Sequence, residues 1–528
     1  MKLILQRLAA RPLLNFYFLL LALAFLYRDL FVAPSVPSIN TAGDQAVSLL
    51  NAMRMLQGQM IYRDFFQFTT PGTELVYLAL FRLCGVCAWI PNAMLVVLGF
   101  GFTWLSIVIS RRLVGGLTAY LPGLLFLVMA FHTNPDASHH WYSILAVMAA
   151  VAVVIEKRTP ARIAGAAALC GLAAFFTQIH GVFALLGVSG FLLWEQCQKG
   201  KNRRSLLRDE ACLWGVFLAT IVALNAYFAW KAGLGRFLGC TVVFGLKYYR
   251  ADVRWNSLRV YMSDLPDFLP WDRLPYLGTY LLIHGLLPLV YLLFLAGYRR
   301  EAGRRPNEPW DRLMLLSIVG LSLFVGIAPA PGSNRLCAVS LPALMVFVWF
   351  LGSPGRLAQS VRRLLWVGVV VLMVGTAWHR QNEWKVYLDA PSGRVAFFDP
   401  AAHERYQWLL DRTRPSEFLF DASLADIYFP LLLRSPAKVP FVTATDYTRP
   451  AQVRDVVEAL ENRRVRLVLW EFDLDSGAGG PPSGDHLSPL RAYLRTHYHV
   501  VGTFPNLDQV WERNSERIGE TPQKACVR

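Results

Sequence analysis

The sequence predicts a mainly α-helical polytopic membrane protein followed by a soluble α/β domain. Three observations predict it. Of the 528 residues, 55% are hydrophobic and 17% are charged, whereas soluble globular chains carry about 25% charged residues; the mean hydropathy is +0.37. The apolar residues fall in long uncharged runs, the pattern a bilayer solvates. The charge balance changes at Arg380: residues 1–380 hold 34 Lys/Arg against 16 Asp/Glu, and residues 381–528 hold 18 against 20. A cytosolic enzyme, a disordered chain and a disulfide-stapled secreted scaffold are excluded as descriptions of the whole chain. The net charge of +16 resides in the apolar part, where it sets topology and does not point to nucleic acid.

Eleven uncharged stretches are long enough to span, near 12–27, 91–110, 117–133, 141–155, 162–178, 181–196, 211–230, 276–298, 313–329, 336–352 and 364–379. Thr73–Ala88 is apolar too, but it is short and carries Glu74 and Arg82. The positive-inside rule decides its role. With the N-terminus cytoplasmic and Thr73–Ala88 not crossing, the cytoplasmic segments collect 21 Lys/Arg and the short outer turns hold one, Arg335. A crossing at Thr73–Ala88 would invert every later loop. It is therefore expected as an interfacial or re-entrant helix on the outer side. Loops 28–90 and 231–275 and the tail then lie outside.

Within loop 28–90 a helix is expected from Thr41, as N-cap, through Asp44, Met53 and Leu56 to a stop at Gly58. The transmembrane domain ends at residue 380. The tail, 381–528, reads as α/β: strands at Glu417–Asp421 and Val465–Glu471, a helix at Pro450–Arg464, a Gly/Pro-rich loop at Ser476–Gly484, a helix from an N-cap at Ser488, and a hairpin over 499–513. No internal repeat, cleavable signal peptide or low-complexity tract is expected. The eight cysteines form no framework. Cys170, Cys212 and Cys337 lie in apolar runs. Cys84 and Cys87 form an unrepeated CxxC in an apolar segment, read as packing residues in preference to a redox or metal pair.

Apart from Arg162 and Glu195 at the ends of two of them, the eleven stretches contain no Asp, Glu, Lys or Arg, and His284 is the clear mid-span ionisable group. Ion-coupled transport needs intramembrane charge, so the chemistry belongs at the outer surface. Asp44, in Gly43-Asp44-Gln45, can act as general base toward a hydroxyl or amine; a charge that merely favours a helix N-terminus is the competing reading. Arg63 and Asp64, in Tyr62-Arg63-Asp64-Phe65-Phe66 ahead of Thr70-Pro71-Gly72, could orient a phosphate and a sugar, or form a polar turn among interfacial aromatics. The loop His132–Trp141 packs Asp136, His139 and His140 at spacings that suit a divalent metal, or a capped start to the next span. Lys247, Tyr248, Arg250 and Arg254 place positive charge and aromatics outside, against the topology rule; a lipid phosphate would favour them, as would anionic headgroups. Arg335 is a second phosphate candidate. His180 reads better as a hydrogen-bonded interfacial histidine, and Asp473 and Asp475 as a solvated turn.

The order of a first span, an Asp, an amphipathic helix, Tyr-Arg-Asp-Phe-Phe, Pro-Gly and an interfacial helix resembles the GT-C glycosyltransferases. The nearest groups are the bacterial relatives of protein O-mannosyltransferases and of the lipid A aminoarabinose transferases (glycosyltransferase family 39-like). The resemblance covers roughly residues 10–350 and is best over 40–112. It implies an inverting transferase of the bacterial inner membrane. The donor would be a polyprenyl-phosphate sugar, and the acceptor a glycan, lipid or protein on the outer face. It implies Asp44 as catalytic base, Asp136 as the acidic residue of the second outer loop, and Lys247, Arg250 or Arg335 on the lipid phosphate. The family's usual acidic pair is replaced here by Asp44-Gln45, and its Lys near Thr177-Gln178 by Ile179-His180. No cofactor is expected beyond a divalent metal. Rival readings are a surface-polysaccharide polymerase or ligase, a lipid-linked-sugar flippase, which would need a polar intramembrane path, and a sensor, which would need a cytoplasmic output domain.

Overall fold

Apolar runs fold as helices because a helix satisfies every peptide N–H and C=O within one segment, wherever water is excluded. The computed structural model describes residues 12–39, 43–200, 203–252, 256, 281–352, 355–475 and 485–514. Two compact units part between Phe398 and Asp399.

The first unit opens with α1 (Pro12–Leu30), a ribbon of β1 (Phe31–Ala33) and β2 (Val36–Pro37), α2 (Asp44–Leu56), α3 (Gly72–Cys84) and α4 (Ile90–Ser110). Next come α5 (Gly116–Phe131), α6 (His139–Val154), α7 (Pro160–Phe176), α8 (Gln178–Lys199), α9 (Arg203–Ala232) and α10 (Leu234–Leu238), the last continuing as a wider-turned helix over Gly239–Tyr249. The series ends with α11 (Leu281–Arg304), α12 (Trp310–Ile327), α13 (Ser333–Ala338), α14 (Leu341–Phe350), α15 (Arg356–Asn382) and the hairpin β3 (Val386–Ala390) and β4 (Gly393–Phe397). Of the eleven expected stretches, seven form helices long and apolar enough to cross a membrane: α1, α4, α8, α9, α11, α12 and α15. The other four, α5, α6, α7 and α14, are apolar helices of 10–17 residues. Arg254 and Thr41 lie outside the described residues, and Gly43 takes the cap position of α2.

Helix α3 has 13 residues, about 20 Å at 1.5 Å per residue, against a hydrocarbon core of about 30 Å. Its Glu74 is buried against α2, accepting hydrogen bonds from Gln67 Nε2 at 2.6 Å and Asn51 Nδ2 at 3.5 Å. Two side-chain amides, one from α2 and one from the connection before α3, thus hold one oxygen of this buried acid. Cys84, the last residue of α3, is exposed and Cys87 is partly buried; the expected packing role does not hold for Cys84.

Small residues let these helices approach closely. A Cβ on Gly72 would stand 2.6 Å from the Phe175 carbonyl oxygen, and one on Gly181 would stand 2.3 Å from the Ala174 nitrogen. Thr70 Oγ1 donates to the Ala174 carbonyl at 2.9 Å. The Thr70-Pro71-Gly72 motif therefore docks the start of α3 on the end of α7. The hairpin β3–β4, absent from the sequence reading, joins the same unit: Ile39 N–H donates to the Ala396 carbonyl at 3.0 Å and Ala88 N–H to the Ser392 carbonyl at 2.9 Å.

The second unit is the α/β domain expected of the tail. Its sheet has the order β5 (Leu419–Asp421), β6 (Leu467–Trp470), β8 (Gln509–Arg513), β7 (Tyr498–Thr503), parallel between β5 and β6 and antiparallel elsewhere. Helices Pro400–Leu410, Pro450–Asn462 and Ser488–His497 accompany it. Ser488 is the first helical residue rather than the cap, and Asp485 Oδ1 accepts the Leu487 N–H at 3.1 Å. The expected loop 476–484 lies outside the described residues. Arg491, 5% exposed, closes its base by pairing with Asp485 at 2.6 Å and Asp475 at 3.3 Å.

Gly181→Ala should cost about 1–3 kcal/mol through overpacking, read as a lower unfolding midpoint in detergent. Gly215→Ala, where an added Cβ meets nothing within 4 Å, should leave the midpoint unchanged or raise it.

Candidate functional site

The site begins where α2 begins. Gly43 has φ +91°, a conformation that L side chains rarely adopt. A Cβ there would also lie 3.0 Å from Asp136 Oδ2. Glycine thus lets the connection between α5 and α6 press against the start of α2. Asp136 Oδ1 accepts the Gln45 N–H at 3.0 Å, and Gln45 Oε1 accepts the Ala137 N–H at 2.7 Å. This reciprocal pair acts as a capping box whose halves lie 91 and 92 residues apart in sequence, satisfying orphan amides at a helix start. Tyr77 Oη donates to the Ala137 carbonyl at 2.7 Å, and Trp141 Nε1 to the Asn134 carbonyl at 3.2 Å. The loop is fixed on both flanks.

Asp44 is the first residue of α2, and its side chain is 47% exposed. His139 and His140 open α6 and turn back toward it: Asp44 Oδ2 lies 3.3 Å from His139 Nε2 and 3.7 Å from His140 Nε2. A hydroxyl holds His139 from behind. Thr177 Oγ1 donates to the His139 carbonyl at 3.1 Å, so His139 Nδ1–H donates to Thr177 Oγ1 at 2.8 Å. Nε2 therefore faces the Asp44 carboxylate, an arrangement that calls for a proton or a cation between them. Ser143 treats His180 alike, donating to the His140 carbonyl at 2.8 Å with His180 Nδ1 at 2.7 Å.

Among the described residues, the group of His, Cys, Asp and Glu whose ligand atoms converge enough to hold a metal is Asp44, His139 and His140. Around an ion bonded at about 2.1 Å, tetrahedral ligand atoms stand about 3.4 Å apart, close to the two distances from Asp44 to the imidazoles. The sequence reading put Asp136 in this set. Here Asp44 takes that place, because Asp136 is turned to the amides of α2.

Arg335, on α13, donates through Nη1 to the Ala330 carbonyl at 2.9 Å and through Nη2 to Tyr249 Oη. Tyr249 stacks on Phe68 with centroids 5.0 Å apart. The two carboxyls feel opposite fields. Partial desolvation works against ionisation of Asp44, but the hydrogen bond and field of His139 and the charge of Arg335 outweigh it and hold the carboxyl below the ordinary range. Burial and then the nearby Asp44 charge push Asp136 well above that range.

The remaining candidates are not brought to Asp44. Arg63 and Asp64 bind each other at 2.9 and 2.8 Å, and Asp64 accepts the Met60 N–H at 2.7 Å; they close a turn. Lys247 lies 5.2 Å over the ring of Tyr248, and Arg250 is exposed. The wider-turned helix instead presents Tyr249, which the sequence analysis did not select. Thr177 and Gln45 were likewise quoted without these roles, and only their partners reveal them.

No protein-family model matches this sequence, and no curated protein does. Solved structures do. ArnT from Cupriavidus metallidurans, bound to undecaprenyl phosphate, superposes with a TM-score of 0.62 at 12% identity over 95% of this chain and 98% of its own. The Archaeoglobus fulgidus oligosaccharyltransferase gives 0.51 at 10% identity over 96% and 75%. The mycobacterial arabinofuranosyltransferase AftD gives 0.51 at 12% over 96% and 40%. This chain has the GT-C fold. In the GT-C frame, Asp44 stands on the first long connection after α1, and Asp136, His139 and His140 on the connection between α5 and α6.

Asp136→Ala should cost about 0.5–2 kcal/mol, the value of a helix cap, and should speed deuterium uptake at the start of α2. Asp136→Asn keeps an acceptor for the Gln45 amide, and both effects should be smaller.

Proposed function

We propose that this protein is an inverting GT-C glycosyltransferase. It moves a sugar from a polyprenyl-phosphate donor to a hydroxyl or amine acceptor at the outer face of the bacterial inner membrane. The single observation that carries the reading is Asp44: a half-exposed carboxylate kept ionised between two imidazoles and within the field of Arg335. The acceptor's proton passes to Asp44, the acceptor atom bonds to the anomeric carbon, and the carbon–oxygen bond to the lipid phosphate breaks from the opposite side. The phosphate leaves with the electron pair, and Arg335, steadied by Tyr249, neutralises the developing charge. Asp136 positions Asp44 by capping the helix that bears it. The N-terminus is cytoplasmic, α3 lies along the outer surface, residues 1–398 form the catalytic domain and residues 399–528 an extracytoplasmic domain.

Asp44, His139 and His140 also fit a divalent cation, as their spacing indicates, with Thr177 orienting His139 from the second layer. Such an ion would supply Lewis-acid polarisation at the acceptor. A flippase is disfavoured because the Asp, Glu, Lys and Arg of the spans lie towards their ends and not along a path through their middles; a polysaccharide polymerase or ligase would use the same constellation on a different acceptor.

Membranes supplied with radiolabelled polyprenyl-phosphate sugars should show transfer by the wild type and none by Asp44→Asn at equal insertion. Equal transfer by both would remove Asp44 as base. Arg335→Met removes a charge that lowers the Asp44 pKa, so the acid limb of the rate–pH profile should move to higher pH as the rate falls. Thr177→Val should weaken binding of Zn²⁺ or Mn²⁺ about 10–100-fold, measured by titration calorimetry; unchanged affinity would place any metal elsewhere.

A further inference from the structure

We infer that Cys84 and Cys87 form a reversible disulfide at the outer face, a redox modification site at the end of α3. The inference rests on the outer placement of α3 proposed above. Free cysteine is among the most buried residue types, and Cys170 and Cys337 conform. Cys84 does not: it lies within a run of four exposed residues, Arg82, Leu83, Cys84 and Gly85. The charged Arg82 keeps this run at water. Gly85 turns the chain with φ +77°, and Cys87 folds back so that its Sγ lies 3.3 Å from the Cys84 carbonyl oxygen. A Cβ on Gly85 would stand 4.0 Å from that sulfur, so the turn brings Cys87 over the residue that leads away from Cys84.

The compartment outside the inner membrane is oxidising, and a CxxC there meets small-molecule and protein disulfides. One cysteine thiolate attacks such a disulfide, forming a mixed disulfide and expelling one thiolate. The second cysteine then attacks the mixed disulfide and expels the other half. The protein loses two protons and two electrons, and the oxidant's disulfide becomes two thiols. The staple would fix the turn between α3 and α4. That turn is already tied to the β3–β4 hairpin through Ala88 N–H and the Ser392 carbonyl. At its other end α3 carries Glu74, and midway Tyr77, which bonds the Ala137 carbonyl beside Asp136.

The test equilibrates full-length protein in detergent with oxidised glutathione, alkylates it with N-ethylmaleimide and weighs the peptide carrying both residues. The expected result is a peptide lighter by two hydrogens, unalkylated, and restored to double alkylation by dithiothreitol. In Cys84→Ser the remaining Cys87 should instead carry glutathione or maleimide. Double alkylation after oxidation, or a stable glutathione adduct in the wild type, would overturn the disulfide. In right-side-out spheroplasts a membrane-impermeant maleimide should label Cys84 after reduction. Labelling confined to inverted vesicles would overturn the outer placement, and with it the proposal, even where the purified protein forms the bond. It would leave transfer by Asp44 to be judged on its own assay.

Discussion

The site depends on one reciprocal contact, the pair of hydrogen bonds that joins Gln45 to Asp136 and Ala137. A helix start exposes amides that need acceptors. Here the acceptor comes from a different loop, and the helix returns one to that loop. Each segment completes the other, so neither is correctly placed alone. Gly43 permits the approach, and Tyr77 and Trp141 hold the loop from either side. The same contact sets Asp44 facing the histidines at the start of α6.

Electrostatics then separates two carboxyls that the sequence presents as equals. Asp44 faces imidazoles and a guanidinium, and Asp136 faces backbone amides at a buried helix end. Environments that push two acids apart assign them different work. At position 45 the amide side chain supplies the acceptor that locks the loop, which a carboxylate beside Asp44 would do only at the cost of like-charge repulsion.

Much of the architecture was legible. Uncharged runs marked the apolar helices, and the amphipathic pattern after Gly43 marked α2. The Pro450 helix and the strands around residues 419 and 468 followed from periodicity. The hairpin after α15 was missed because its alternation is short and interrupted by charge. Helix α14, with 10 residues, is shorter than the stretch 336–352 drawn from composition, since hydropathy marks apolar extent and not where a helix starts. Tyr249 was not singled out beside Lys247, Tyr248 and Arg250, because a wider-turned helix rotates side chains away from ordinary α-helical positions.

By itself the sequence determined the apolar helices, their polar connections and the identity of the reactive groups, because hydrophobicity, helix-start chemistry and charge are local properties. Only the tertiary structure decided which groups meet. Asp44 with His139 and His140, Arg335 with Tyr249, and Asp136 with Gln45 are all pairings between distant segments. Close packing at Gly43, Gly72 and Gly181 creates them, and no single segment contains that information.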